Sequence, residues 1–327
     1  MNTDTNTMKE LKTQLMKNIA QLPLIKQFHM RLAKPDTWII EPFNPSSDVP
    51  RIFLLIGEKY AMVIDPTDTP YDLRSYIETY ITTKPLVVAN THSHNDHTYA
   101  NYLFDDCTIY MSEVCKQDLE AARARALRPD VLGNIHVSKN EGTVVRPGDT
   151  IDLGGRVIHV LGCTPCHAPS SLMYLDETAG ILFTGDEIDA GQINIWTQPV
   201  EVFRDNIVML LGLRDKFDMI CCPHNGSPMH ADVLNYFLEN CDRIMSGIEG
   251  DMDKGSTSYL LNPFEPRGAE SVAYRRWDPL IRRSEWMSTA INYNIDLVFK
   301  RQLNEPHRMA YPSAEAAAKA AAEKGGN

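Results

Sequence analysis

The sequence predicts a mixed α/β fold of four layers, α-β-β-α, in which two β-rich halves are each covered by helices. Strand-like apolar runs and helical periodicities alternate twice over between residues 37 and 240, the pattern of two half-buried sheets each shielded on one side. Several of these strands give way to polar loops containing Gly or Pro, so one edge of the sandwich collects polar side chains.

The elements follow in order. Leu11, Leu15, Ile19 and Leu22 recur at helical spacing and predict an amphipathic helical lead-in within residues 1–36. Three β-like runs come next, TWIIEPF (37–43), RIFLLIG (51–57) and YAMVIDP (60–66), punctuated by Gly57, Pro66 and Pro70. YDLRSYIETYI (71–81) reads as a helix, PLVVANT (85–91) as a buried strand, and Ser112 to Leu127 as an Ala-, Glu- and Arg-rich helix. IHVS, GTVV, TIDL, RVIHVLG, SLMYLD and GILFTGD return to strands between residues 135 and 186. A helix near 201–215, a short strand DMICCPH (218–224) and a helix at 231–248 complete a main domain over 37–249. Residues 250–306, with YRRWDPLIRRSEW and the strand-like AINYNIDLVFK, form a C-terminal extension. Residues 307–327 are a low-complexity, Ala-rich tail that resembles a helical linker and is set aside in reading the fold.

The chain has 327 residues and a net charge of −11, with 43% hydrophobic and 23% charged residues, which suits a globular protein with a sizeable core. Its acidity argues against a nucleic-acid partner, which needs a basic face. No apolar run has the length of a membrane span, and the N-terminus lacks the charged-then-apolar pattern of a secretory leader, so a cytoplasmic protein is expected. Seven cysteines without framework spacing are expected to be thiols.

The strand at 85–91 runs into THSHNDH, placing His92, His94, Asp96 and His97 within six residues. Side chains of these types converging at a strand end suit metal ligation, His92 and His94 on one ion, Asp96 and His97 turning toward a second. Downstream, His167 follows RVIHVLG, Asp186 ends GILFTGD and His224 ends DMICCPH, each at the close of an apolar strand. Cys163-x-x-Cys166-His167 also matches the attachment motif of a c-type haem, a redox reading that competes for His167.

H-x-H-x-D-H, then a His after G-x-T-P-x-H, then T-G-D, then P-H, resembles the metallo-β-lactamase-fold hydrolase superfamily over about residues 37–240. The resemblance implies an αββα sandwich with a dinuclear metal centre, zinc first, with iron or manganese as alternatives. It implies that His92, His94 and His167 bind one metal, that Asp96, His97 and His224 bind the other, and that Asp186 bridges them. His167 is then a ligand and the haem match is accidental. The family usually carries His and Gly where this chain has Cys163 and Cys166. A bridging aspartate is typical of glyoxalase II, lactonases and phosphodiesterases, whereas true zinc β-lactamases carry Cys or Ser there.

The expected activity is hydrolysis of a small-molecule ester, lactone or thioester, with a metal-bound hydroxide as nucleophile and Asp96 orienting it or taking its proton. Phosphodiester hydrolysis at the same metals is the alternative. Tyr99, Tyr102 and Trp196 are the candidate substrate-pocket residues. Arg275, Arg276, Arg282 and Arg283 lie between or beside Trp277 and Trp286; they could bind an anionic substrate but better suit a solvated face or a subunit contact, which leaves a homo-oligomer open.

Overall fold

The computed structural model describes residues 10, 14, 17–18, 21–43, 49–123, 136–189, 192–195, 198–224, 227–247, 281–287, 289–294 and 297–298. Most of the expected lead-in helix, Trp196, the extension over 250–280 and the tail lie outside these residues. The chain divides into two compact units, the first holding residues up to 162 and 170–179, the second 163–169 and most of the chain from 180 on. Among the described residues no helix is long and apolar enough to cross a membrane.

The first unit is built on a seven-stranded sheet in the order β1 to β7. Its members are β1 (Phe28–Lys34), β2 (Thr37–Pro42), β3 (Ile52–Ile56), β4 (Ala61–Ile64), β5 (Leu86–Ala89), β6 (Thr108–Met111) and β7 (Thr143–Val144). The first four pair antiparallel. From β4 to β7 pairing is parallel. Parallel pairing needs crossovers. Helix α1 (Leu73–Tyr80) supplies one, capped by the Asp72 carboxylate on Ser75 N–H at 2.9 Å, with Leu73, Tyr76 and Ile77 buried. The short α2 (Asn95–Thr98) follows β5, and α3 (Glu113–Arg123) follows β6.

Strand β1 corrects the expectation of a purely helical lead-in: Phe28, Met30 and Leu32 alternate with polar residues, and the segment pairs with β2 from Phe28↔Pro42 onward. The IHVS segment is a correction of the opposite kind. Residues 136–142 form no strand, and Ser138 and Asn140 are instead turned onto Asp105.

The same unit carries the antiparallel ladder β8 (Thr150–Asp152), β9 (Val157–Leu161) and β10 (Met173–Asp176). Gly57 is required here, because a Cβ would lie 2.3 Å from the Leu153 carbonyl oxygen. Arg156 is buried against several elements at once: Nε donates to Asp176 at 2.8 Å, and Nη1 to the carbonyls of Asp36 at 2.7 Å and Ile56 at 3.1 Å. A buried guanidinium is tolerable only when its donors are met in this way. Tyr174 Oη donates to the Asn90 carbonyl at 2.9 Å, tying β10 to the chain just beyond β5.

The second unit contains β11 (Ile181–Phe183), β12 (Ile193–Ile195), α4 (Val200–Leu211), β13 (Met219–Cys221), β14 (Met229–His230), α5 (Val233–Met245), β15 (Ile281–Trp286) and β16 (Thr289–Asn294). Strand β11 pairs parallel with β13, and β13 antiparallel with β14. Helices α4 and α5 pack through Phe203 and Phe237, edge to face at 5.7 Å. The strand-like stretch of the extension is real: β16 pairs with β12 and β15, and Asn240 of α5 donates to the Ser284 carbonyl at 3.0 Å.

Candidate functional site

In the first unit the buried run of β5 delivers the chain to Thr91 and the H-x-H-x-D-H segment. Asp65, at the end of the neighbouring β4, organises that segment. Its backbone is left-handed at φ 52°, a conformation that Asp tolerates better than most residues. Its carboxylate accepts from Thr91 N–H at 2.8 Å and from Thr91 Oγ1 at 2.6 Å, and lies 3.1 Å from His97 Nδ1. Asp65 and His97 are fully buried.

These contacts fix two tautomers. A carboxylate only accepts, so His97 Nδ1 carries the proton and Nε2 keeps its lone pair. The Thr91 hydroxyl spends its proton on Asp65, so toward His92 Nδ1 at 3.1 Å it accepts, and His92 is likewise Nδ1-protonated. In this tautomer each Nε2 carries the lone pair, as in sites where an outer group, here Asp65 for His97 and Thr91 for His92, orients an imidazole. The His92 ring lies 4.5 Å from that of His94 and 4.1 Å from that of His97. Asp96 Oδ2 is 3.7 Å from His97 Nε2 and its side chain is 43% exposed.

In the second unit, parallel pairing of β11 with β13 sets Phe183 opposite Cys221, so the loops beyond the two strands leave the sheet side by side. Asp186 sits in the first loop and His224 in the second. Asp186 Oδ2 lies 3.3 Å from His224 Nε2 and 3.4 Å from His167 Nε2, so one carboxylate oxygen faces both imidazoles. Next to it the buried Glu187 faces the loop that carries His167, accepting from the backbone N–H of Cys166 at 2.9 Å, His167 at 3.1 Å and Ala168 at 3.4 Å. Asn206 of α4 holds the same loop by donating to the Thr164 carbonyl at 2.7 Å and accepting from Thr164 N–H at 3.1 Å.

Each unit therefore groups its own share of the expected ligands: His92, His94, Asp96 and His97 in the first, His167, Asp186 and His224 in the second. The donor set is imidazole nitrogen and carboxylate oxygen, which fits a borderline divalent ion such as zinc. Burial pushes the Cys163 and Cys166 thiols well above the ordinary range, so both are protonated, and Cys166 Sγ lies 3.4 Å from the Thr164 carbonyl.

Tyr99 and Tyr102, expected in the pocket, form an aromatic cluster with His136. The Tyr102 and His136 rings stack at 4.2 Å and 10°, and Tyr99 Oη accepts from His136 N–H at 3.3 Å. Sequence reading missed Asp65 and Glu187. The available signals were a carboxylate ending the apolar run YAMVID and an acidic neighbour to Asp186.

A model of the metallo-β-lactamase superfamily matches residues 49–205, which include every expected ligand except His224. The chain is 27% identical over 202 residues to the acyl-coenzyme A thioesterase MBLAC2 of Bos taurus, covering 51% of this chain and 68% of that protein. Its human counterpart is 26% identical over the same length. Among solved structures, a metallo-β-lactamase from Pontibacter korlensis superposes with a TM-score of 0.51 at 17% identity, covering 66% of this chain and 99% of that one. The DIM-1 metallo-β-lactamase exposed to ceftazidime gives 0.52 at 12% identity, covering 67% and 98%. Likeness at these identities is a likeness of fold, and the fold is the sandwich read from the sequence. Residues 49–205, just under half of the chain, thus match the metallo-β-lactamase superfamily, and this match together with the similarity to MBLAC2 supports a metal-dependent hydrolase.

Proposed function

We propose that the chain hydrolyses acyl thioesters with the ligand set that the resemblance implies: His92, His94 and His167 would hold one divalent metal, Asp96, His97 and His224 would hold a second, and Asp186 would serve both. The observation that carries the reading is the placement of Asp186 Oδ2 against both His167 and His224, with His97 oriented by a buried carboxylate. Zinc is the metal proposed first. The thioester is favoured over other acyl substrates because the curated relatives carry the name acyl-coenzyme A thioesterase.

Bound divalent ions supply Lewis acidity, polarising a carbonyl and lowering the pKa of water. The residues of the chain do the rest. Asp65 and Thr91 hold His97 and His92 in the tautomer that presents Nε2. Asp96, half-exposed, accepts the proton of the attacking water. Glu187 keeps the backbone around His167 in place, so that turnover requires no reorganisation there.

The test is release of free thiol from short- and long-chain acyl-coenzyme A, measured beside hydrolysis of bis-p-nitrophenyl phosphate. Thiol release that is abolished by chelation and restored by zinc supports the proposal. Phosphodiester cleavage without thiol release replaces it with a phosphodiesterase, and activity that survives complete metal removal overturns it.

A further inference from the structure

Ser93 stands between His92 and His94, and the ligand assignments above give it no role. It anchors a chain of hydrogen bonds in the first unit. Its backbone N–H donates to Ser170 Oγ at 3.0 Å, and its hydroxyl lies 2.6 Å from Asp118 Oδ2 and 2.9 Å from Ser170 Oγ. The carboxylate only accepts, so the Ser93 hydroxyl donates to Asp118, and the Ser170 hydroxyl donates to Ser93. Ser112 closes the other side: its hydroxyl donates to the Ser170 carbonyl at 2.7 Å and accepts from Cys115 N–H at 3.0 Å, capping α3. Asp118 lies on that same helix.

The two imidazoles flanking Ser93 differ in burial. His92 is buried and its Nδ1 is met by Thr91, whereas His94 is exposed. His94 precedes α2 in an extended conformation, φ −61° and ψ 145°, so the backbone on either side of it contributes to its direction. On its N-terminal side that backbone is Ser93, whose N–H and hydroxyl are both committed to the serine–aspartate chain. The chain reaches α3, a helix of eleven residues, and thereby refers the ligand turn to an element that carries no expected ligand.

We propose that Asp118, Ser93 and Ser170 form a positioning network that sets metal affinity by fixing the turn from His92 to His94. The inference rests on the proposed metal-binding role of those two histidines. Asp118 is an exposed residue on a helix surface, so its loss leaves no buried group unmet and little of the fold depends on it. Its hydroxyl partner, by contrast, loses its acceptor and can rotate, which frees the turn. Outer positions that orient ligands alter metal affinity by about 10- to 100-fold.

The experiment is titration of the metal-free full chain with Co2+, followed by its visible absorption and by chelator competition, together with the melting temperature of the metal-free protein. Asp118→Ala and Ser93→Ala are each expected to weaken Co2+ binding by about tenfold or more, with the metal-free melting temperature unchanged. Asp118→Asn keeps an acceptor oxygen and should bind nearly as wild type. The Ser93→Ala, Asp118→Ala double variant should be no worse than either single one, because both cut the same chain. Wild-type affinity in Asp118→Ala overturns the network while leaving the proposed function standing, and so does a parallel fall in metal-free melting temperature in Asp118→Ala and Asp118→Asn. A wild-type chain that binds no Co2+ overturns both.

Discussion

Asp65 Oδ2 lies 3.1 Å from His97 Nδ1, with both side chains removed from solvent. The same carboxylate serves two donors of Thr91, so fold and ligand orientation depend on one residue. Asp65→Ala should leave buried donors unmet and destabilise the protein by about 3 kcal/mol, with loss of bound metal. Asp65→Asn tolerates the left-handed backbone and should fold better than the Ala variant while still binding metal more weakly. Urea unfolding and elemental analysis of both variants check this; equal stability of Asp65→Ala and wild type would refute it.

Glu187 should matter through the backbone. In Glu187→Gln one oxygen becomes an amide that points donors at donors, against three N–H groups within 3.4 Å. A fall in thermal stability is expected, with faster proteolysis near residues 163–168. Mapping the first cleavage site by mass spectrometry tests the location, and a variant cut elsewhere at wild-type rate would count against it.

Asp186→Asn keeps size and removes the charge shared between His167 and His224. The fold should persist with about one metal per chain, and turnover should fall about 100-fold or more, the scale set by mispositioned reacting groups. Circular dichroism, metal stoichiometry and turnover are measured on one preparation. Two metals and near-normal turnover would return Asp186 to the role of a loop residue.

Alkaline pH should weaken the fold. Burial raises the Cys107 thiol from 9.0 to about 11, and the Cys115, Cys163 and Cys166 thiols further. Below pH 9 the thiols are protonated in both states and contribute no pH dependence. Above it the unfolded chain releases protons that the native state retains, so the unfolded state binds fewer and stability falls as pH rises through about 11. The urea midpoint should drop between pH 7.5 and 10.5, a range chosen around that window. A midpoint that does not move would mean the thiols titrate alike in both states.

The expected ligand residues stand out in the sequence because metal chemistry leaves few substitutes: three histidines and an aspartate fall within six residues. Their supports do not, since a carboxylate bonding to backbone N–H groups 19 to 21 residues away, as Glu187 does, has no local pattern. Asp65 acts over 26 and 32 residues, through strand pairing that spacing alone does not reveal. Strand β1 was legible in principle, in the alternation of Phe28, Met30 and Leu32, but its charged partners and exposed Leu32 weaken the signal. Residues 135–138 misled in the other direction, because Ile and Val beside His suggest a strand while Asp105 claims the backbone that follows.

The guanidinium of Arg156 bears on the order in which the protein can be made. Its acceptors on Asp36 and Ile56 are separated from it by 120 and 100 residues and are synthesised first, whereas Asp176 follows 20 residues later. A nascent chain that has emerged only as far as β9 carries this cation without its counter-charge, and docking it among two carbonyls and the Thr37 hydroxyl alone is unfavourable. The seven-stranded sheet can pair as it leaves the ribosome, but the ladder that follows has to wait for Asp176 before it closes. Truncations ending between Arg156 and Asp176 should accordingly be held by chaperones, while those ending just past Ala179 should release a protected first unit.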